Sequence, residues 1–265
     1  MGTGALMGAV IRLNDLTLGY DGHPAVHHLD GVFETGSLTA IVGPNGSGKS
    51  TLLKGITGVL KPLGGAIEHA GPEGRDIAYL PQTAEIDRSF PAVVRDLVSL
   101  GLWKQRGLFG AIRSSDRAAL DEALQAVGLK GFEQRPIDTL SGGQLQRALF
   151  ARVLLQDART ILLDEPFTAI DEKTVADLIG LVQRWHGEKR TVIAVLHDVE
   201  MVRKVFPQTL LLAREPIAWG ATGEALKAEN ILKTRRMTEA WDEHAPWHGV
   251  GGHAQPHQHQ HGDAA

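Results

Sequence analysis

Cysteine is absent from the 265-residue chain, which excludes disulfides and thiolate metal centres and is compatible with a reducing cytosol. No apolar run approaches the roughly 18 residues needed to cross a bilayer; the longest, residues 191–196 and 210–213, are strand-sized. Any service to a membrane would therefore run through a partner. Residues 1–10 lack a basic stretch followed by an apolar one, so no secretory signal is expected. Charge of one sign is nowhere concentrated: the formal net charge is −4, with acids and bases spread along the chain, and no basic stripe argues for nucleic acid. Sustained heptads and a second copy of any motif are also missing. The length suffices for a full core, as one large domain or a core with a subdomain, and the composition is that of a soluble globular protein.

What is present is a glycine-rich string, Gly43-Pro44-Asn45-Gly46-Ser47-Gly48-Lys49-Ser50-Thr51. It fits the phosphate-cradling loop G-x-x-x-x-G-K-[ST], whose glycines let backbone N–H groups turn toward an anion while a helix N-terminus adds its dipole. Lys49 would reach the β- and γ-phosphates of a nucleotide, and Ser50 would ligate magnesium. The context is right for it. Residues 11–18 and 37–42 read as strands, the second feeding the loop and then a helix from Lys49 to about Val59. Short apolar runs at 160–163, 191–196 and 209–212 alternate with helix-like stretches at 173–186 and 198–205, which predicts a parallel sheet covered by helices. Between Val93 and Gln156 no strand is evident. There Leu120, Ala123, Leu124 and Val127 fall at i, i+3, i+4 and i+7 and Gly128 follows as a cap, so a helical insertion is expected, with residues 101–115 as a loop-rich interruption.

Thr160-Ile161-Leu162-Leu163-Asp164-Glu165-Pro166 is an apolar strand ending in two carboxylates. Strand ends in open α/β sheets face the ligand crevice, which would put Asp164 near magnesium and Glu165 near the γ-phosphate as general base for the attacking water. Read alone, the pair could equally be solvated. Tyr20, before Asp21-Gly22, could stack its ring on adenine or serve as a turn or core residue. Ser141, Gly142 and Gly143 in Leu140-Ser141-Gly142-Gly143-Gln144 open a helix, either as a plain serine N-cap or as an anion site.

The two glycine strings in this order resemble the nucleotide-binding subunit of the ATP-binding cassette (ABC) transporter family over residues 10 to 230 or so. The resemblance implies an α/β fold: a RecA-like P-loop NTPase core with a parallel sheet, an antiparallel N-terminal β-region and an inserted α-helical subdomain at about 92–156. Residues 10–235 would form this nucleotide-binding domain and 236–265 a histidine-rich, disordered tail. It implies that His197 contacts the γ-phosphate and the water, and that Gln82 is the amide near magnesium at the junction with the helical subdomain. It further implies that Ser141 to Gln144 cover ATP held by Lys49 of a second subunit, and that Thr168-Ala169-Ile170-Asp171 is the dimer-contact loop. ATP and Mg²⁺ are the expected ligands. The expected partners are a second cassette, a polytopic membrane permease and, through it, an extracytoplasmic solute-binding protein, with the chain peripheral on the cytoplasmic face of the membrane. A switch GTPase would not need Leu140 to Gln144, and soluble cassette ATPases would be expected to carry tandem cassettes or a coiled-coil insertion.

Residues 82 to 91, Gln82-Thr83-Ala84-Glu85-Ile86-Asp87-Arg88-Ser89-Phe90-Pro91, are similar to the zinc and manganese importer branch, where aspartate, an aromatic, serine, phenylalanine and proline follow the glutamine. Here Arg88 replaces the aromatic. Importers of iron-siderophore, haem, nickel or cobalt remain alternatives. His244, His248, His253, His257, His259 and His261 crowd the tail without forming a block, and neutral imidazoles on a flexible chain can gather around Zn²⁺; a merely hydrophilic tail is the competing reading.

Overall fold

The computed structural model describes residues 9–71, 76–106 and 113–240. The tail histidines, His244 to His261, lie outside the described residues.

Two sheets share the chain. β1 (Ala9–Tyr20), β2 (His23–Glu34) and β4 (Gly64–His69) form an antiparallel sheet in the order β2-β1-β4. β3 (Leu38–Val42), β5 (Ile77–Leu80), β6 (Thr160–Asp164), β7 (Thr191–Val195), β8 (Gln208–Ala213) and β9 (Glu215–Ala221) form the second, in the order β5-β6-β7-β3-β8-β9. Its first five strands are parallel and β9 returns antiparallel on β8. Every residue of β3, β6 and β7 is buried, the pattern of strands covered on both faces, and this is why their sequences are continuous apolar runs rather than alternating ones. The pleat still sorts the faces. Ala40, Leu163 and Ala194 join the cluster beneath the helices, while Ile41, Leu162 and Ile193 join the cluster shared with the antiparallel sheet and α1 (Lys49–Ile56).

Helices α2 (Val94–Ser99), α3 (Trp103–Arg106), α4 (Ser114–Ala126) and α5 (Gly142–Gln156) make the insertion. α6 (Glu172–Gly187), α7 (Val199–Val205), α8 (Thr222–Ala225) and α9 (Ala228–Ala240) follow. α4 stops where the sequence indicates: Gly128 is left-handed at φ 72°, and Leu129 N–H returns to the Leu124 carbonyl at 2.8 Å. Three expectations need correcting. α1 ends at Ile56 rather than near Val59, because Gly58 at φ 77° turns the chain. Residues 101–115 are not continuous loop, since α3 and the start of α4 lie there. Regular structure also runs past residue 235, through Ala240, because the polar helix α9 packs on β8 and β9 despite its weak periodicity.

α5 holds the parts together. Its Phe150, fully buried, stacks on Trp185 of α6 at 5.8 Å with planes 4° apart. Arg152 Nη2 and Gln156 Nε2 donate to the carbonyls of Tyr79 at 2.6 Å and Ile77 at 2.8 Å, so the outer edge of β5 is occupied rather than left as a template for pairing. Phe150→Ala would leave a cavity between α5 and α6. It is expected to lower stability by about 3–5 kcal/mol, read as an earlier urea midpoint by far-UV circular dichroism.

Candidate active site

The parallel strands bring their C-terminal ends to one edge, and the glycine loop leaves β3 there. Its geometry is dictated by what surrounds it. A Cβ on Gly43 would stand 2.0 Å from the Leu212 carbonyl oxygen, and one on Gly48, whose φ is +90°, 2.4 Å from that of Ala25. Only glycine fits either place. The loop lines an open cavity of about 490 Å³, within the range of small-ligand sites, together with Asn45, Gly46, Ser47, Lys49, Ser50 and Thr51. Gln82, Glu165 and His197 complete the lining.

Lys49 Nζ donates to the carbonyls of Gly43 at 3.0 Å and Pro44 at 2.8 Å. Burial pulls its pKa below the usual lysine value, while the charges of Glu165 and Asp164 pull the other way. Asp164, the last residue of β6, is fully buried, and that burial pushes its carboxyl pKa up. Three donors answer it: Ser50 Oγ at 3.0 Å, Tyr79 Oη at 3.3 Å and, at longer range, Gln82 Nε2 at 3.5 Å. Gln82 Nε2 also lies 3.1 Å from Ser50 Oγ and 3.1 Å from Glu165 Oε1. His197 Nε2 is 2.7 Å from the same Glu165 oxygen. Glu165 itself sits at φ 48°, held by its N–H on the Val195 carbonyl at 3.2 Å, a sparsely populated conformation of the kind that clusters at functional sites.

The structure thus joins Lys49, Ser50, Gln82, Asp164, Glu165 and His197, which lie up to 148 positions apart in the chain. It does not bring Tyr20 or the Ser141–Gln144 string to this cavity. Tyr20 stands about half exposed at the end of β1 and is not among the lining residues. Ser141 caps α5 elsewhere: its Oγ accepts from Gln144 N–H at 3.2 Å and its N–H donates to Gln144 Oε1 at 3.0 Å, a reciprocal capping box. Gly142 and Gly143 pack beside the 168–171 loop, where an added Cβ would meet Ala169 O at 3.4 Å and Asp171 Oδ2 at 3.5 Å.

Two contributors were not foreseen. Tyr79 reaches Asp164 only because β5 pairs with β6, a neighbour relation that strand periodicity does not disclose; burial raises its phenol pKa well above the ordinary value, so it stays a donor. Arg147, three residues after Gln144, donates to Thr174 Oγ1 at 3.1 Å, Asp177 Oδ2 at 2.8 Å and the Val127 carbonyl at 2.9 Å, binding α5 to α4 and α6.

A nucleotide triphosphate with a divalent cation fits this donor set. The cradle excludes any Cβ at Gly43 and Gly48, the buried Ser47 Oγ has no hydrogen-bond partner in the structure, and a hydroxyl and a carboxylate stand together as hard oxygen ligands. A family model described as "ABC transporter" matches residues 26–168. The chain belongs to the ABC transporter family. The cassette is 35% identical to the manganese transport system ATP-binding protein MntB of Halalkalibacterium halodurans, covering 86% of this chain and 92% of that one. It is 37% identical to the zinc transport system ATP-binding protein TroB of Treponema pallidum, over 84% and 85%. Among solved structures it resembles cbiO1 of Clostridium perfringens, part of the ABC transporter complex cbiONQ, at 25% identity and TM-score 0.68, covering 87% and 95%. Membership makes it an ATPase that uses ATP and Mg²⁺, of a family whose cassettes work as dimers with membrane permeases. No described helix of the cassette is long and apolar enough to cross a membrane.

The loop geometry predicts the behaviour of Gly48→Ala. A left-handed alanine costs about 1–2 kcal/mol before its methyl overlaps the Ala25 carbonyl. A lower thermal midpoint by differential scanning calorimetry is the expected result, and an unchanged midpoint would contradict the loop geometry.

Proposed function

We propose that the cassette is the ATP-hydrolysing subunit of an importer of zinc or manganese, acting as a homodimer on the cytoplasmic face of the membrane beneath a polytopic permease that receives cargo from an extracytoplasmic binding protein. The observation that carries the reading is the convergence of Lys49, Ser50, Gln82, Glu165 and His197 on one cavity, with buried Asp164 hydrogen-bonded to Ser50 just beneath it, while Ser141 is not among the lining residues. Relatives named for manganese and zinc transport supply the cargo class.

Each residue has a part. Backbone N–H groups of Gly43, Pro44-excepted, through Thr51 cradle the phosphates, with Asn45, Gly46, Ser47 and Gly48 forming the turn. Lys49 leaves the Gly43 and Pro44 carbonyls for the β- and γ-phosphates, trading neutral acceptors for charged ones. Ser50 Oγ and Asp164 would hold Mg²⁺, joined by Gln82 once its amide turns to present Oε1, and the ion supplies neutralisation of phosphate charge. Glu165 accepts a proton from the attacking water. His197, already 2.7 Å from that carboxylate, orients the water and the γ-phosphate in line. The half-exposed ring of Tyr20 stacks on adenine. Ser141, Gly142, Gly143 and Gln144 of one chain cover the nucleotide held by Lys49 of the other, as the family resemblance implies; that these residues do not line their own chain's cavity supports this.

Glu165→Gln keeps the cavity and removes the base. Expected are retained ATP binding, an ATP-bound dimer that accumulates, turnover reduced at least ~100-fold, and loss of zinc or manganese accumulation by cells that depend on this transporter. Unchanged hydrolysis would refute the base; full hydrolysis dependence without any change in metal uptake would refute the cargo.

The tail is proposed to bind Zn²⁺ reversibly and adjust ATPase rate to cytosolic metal. Histidine of unperturbed pKa near 6.5 is mostly neutral at about pH 7.5 and is lost as a ligand in mild acid. Without thiolates the affinity should be moderate, with Cu²⁺ and Ni²⁺ competing. Zinc titration of the full chain and of a form ending at Glu243 should give a higher stoichiometry for the full chain. Equal stoichiometry ends the binding proposal, and an equal ATPase response ends the regulatory one.

A further inference from the structure

The loop between β5 and α2 is tied down at three points. Glu85 takes Lys54 of α1 as an ion pair at 2.7 Å, Thr83 Oγ1 donates to Gln146 Oε1 of α5, and the Arg88 guanidinium donates through Nη2 to the carbonyl of Leu140. The third tie is made by Arg88, the residue at which this sequence departs from the pattern of the branch it resembles. Asp87 sets it up: Oδ1 accepts from Ser89 N–H at 2.9 Å and Ser89 Oγ at 2.6 Å, folding the loop so that the half-buried Arg88 points inward between an exposed Asp87 and an exposed Ser89.

The acceptor matters because of what shares its peptide group. The Leu140 carbonyl and the Ser141 N–H belong to one planar unit. The carbonyl end is held by Arg88 and the N–H end by Gln144 Oε1 at 3.0 Å, so the unit that aims the N-terminus of α5 is fixed at both ends. A planar guanidinium offers several donors in a rigid fork, and a hydrogen bond from a charged donor is about twice as strong as a neutral one. A phenylalanine at this position could pack but not make that bond, and a tyrosine or tryptophan could offer only one neutral donor. Gln82, six residues upstream, is on the same loop and touches Glu165 at 3.1 Å. One short segment therefore contacts the hydrolytic carboxylate of its own cavity and the capping serine presented away from it.

We propose that Arg88 is a positioning residue that holds the Leu140–Ser141 peptide and thereby aims the α5 N-terminus at the ATP of the partner cassette. The inference rests on the reading that Ser141 serves the second subunit's nucleotide. It makes a divided prediction: Arg88 governs steps that need two chains and leaves the step that needs one.

The full-length chain is compared with Arg88→Ala, Arg88→Lys and Arg88→Met, using ATP and Mg²⁺ as probes. ATP affinity of the isolated protomer is measured by fluorescence titration. ATP-dependent dimerisation is followed by sedimentation velocity in a Glu165→Gln background, and kcat and KM are measured in the unmodified background. For Arg88→Ala and Arg88→Met the expected result is ATP affinity within twofold of the parent, thermal midpoint preserved, dimerisation shifted to about tenfold higher protein concentration, and kcat lowered about tenfold with KM nearly constant, the scale of one charge-assisted hydrogen bond. Arg88→Lys, which can donate a single charged bond, should recover part of both. Parental dimerisation and kcat in Arg88→Ala would overturn the proposal, as would equal losses in protomer affinity and dimerisation, or methionine restoring function as well as lysine does. Ser141→Arg serves as the control for the underlying reading. If it dimerises and turns over normally, that reading fails; if it is inactive while Arg88→Ala is normal, the reading survives and the role of Arg88 alone is refuted.

Discussion

Asp164 is the constraint around which the site is organised. A carboxylate at the end of the fully buried strand β6 carries a desolvation cost that a protein tolerates only with donors on it, and the donors come from three separate segments. Ser50 arrives from the helix after the glycine loop, Tyr79 from the edge strand, and Gln82 from the loop that follows it. Satisfying one buried oxygen pair therefore brings the phosphate loop, the β5 edge and the entry to the helical insertion to a common point. Burial favours the protonated acid and the donors favour the ionised one, and a divalent cation held there would favour the carboxylate further.

Lys49 is the mirror case. Burial disfavours its charge, and two carbonyl oxygens of its own loop only partly replace water. A triphosphate would restore what burial removes, so the carboxylates and the under-compensated ammonium would both gain from a magnesium-bound nucleotide. Under the proposed function the positive side of the cavity would face phosphate and the negative side metal and water, and the chemistry would follow from that division. Glu165 stands at the boundary, in a left-handed conformation that the Val195 carbonyl keeps in place, with Gln82 and His197 on one of its oxygens. Among the described residues the other oxygen, Oε2, is met by Thr168 Oγ1 at 3.4 Å, a long and weak contact.

The legible parts of this molecule were those encoded by local pattern. Gly43 to Thr51 disclosed both its loop and its helix, and continuous apolar runs disclosed β6 and β7, because each depends on neighbours in sequence. β2, β4 and β9 were not individually legible: their partly exposed, polar-interrupted stretches, and in β2 the bulge at left-handed His28, blur the period-2 signal. Tyr79 and Arg147 escaped for a different reason, since their roles exist only through strand order and helix packing. The termination of α1 at Ile56 was a question of which glycine turns the chain, and Gly58 at positive φ decided it.

α5 serves two purposes that conflict unless its ends are treated differently. Its middle and C-terminal half are core: Phe150 on Trp185, Arg152 and Gln156 capping the edge strand. Under the proposed function its N-terminus would present N–H groups to an anion, which would forbid burying it and leave it dependent on capping for direction. A rigid body with a solvent-facing tip transmits any rotation of the body to the tip. Arg147 fixes the body to α6 through Thr174 and Asp177, and Thr174 is in turn bonded to Asp171, the N-cap of α6 at the end of the 168–171 loop. Consequently the glycines at the tip, packed beside the 168–171 loop, are tied by short contacts to the segment that leaves the strand bearing Asp164. The insertion is thus joined through α6 to the core that carries the glycine loop, so a change of side chain at Arg147 would be felt at the tip as well as in the helix body.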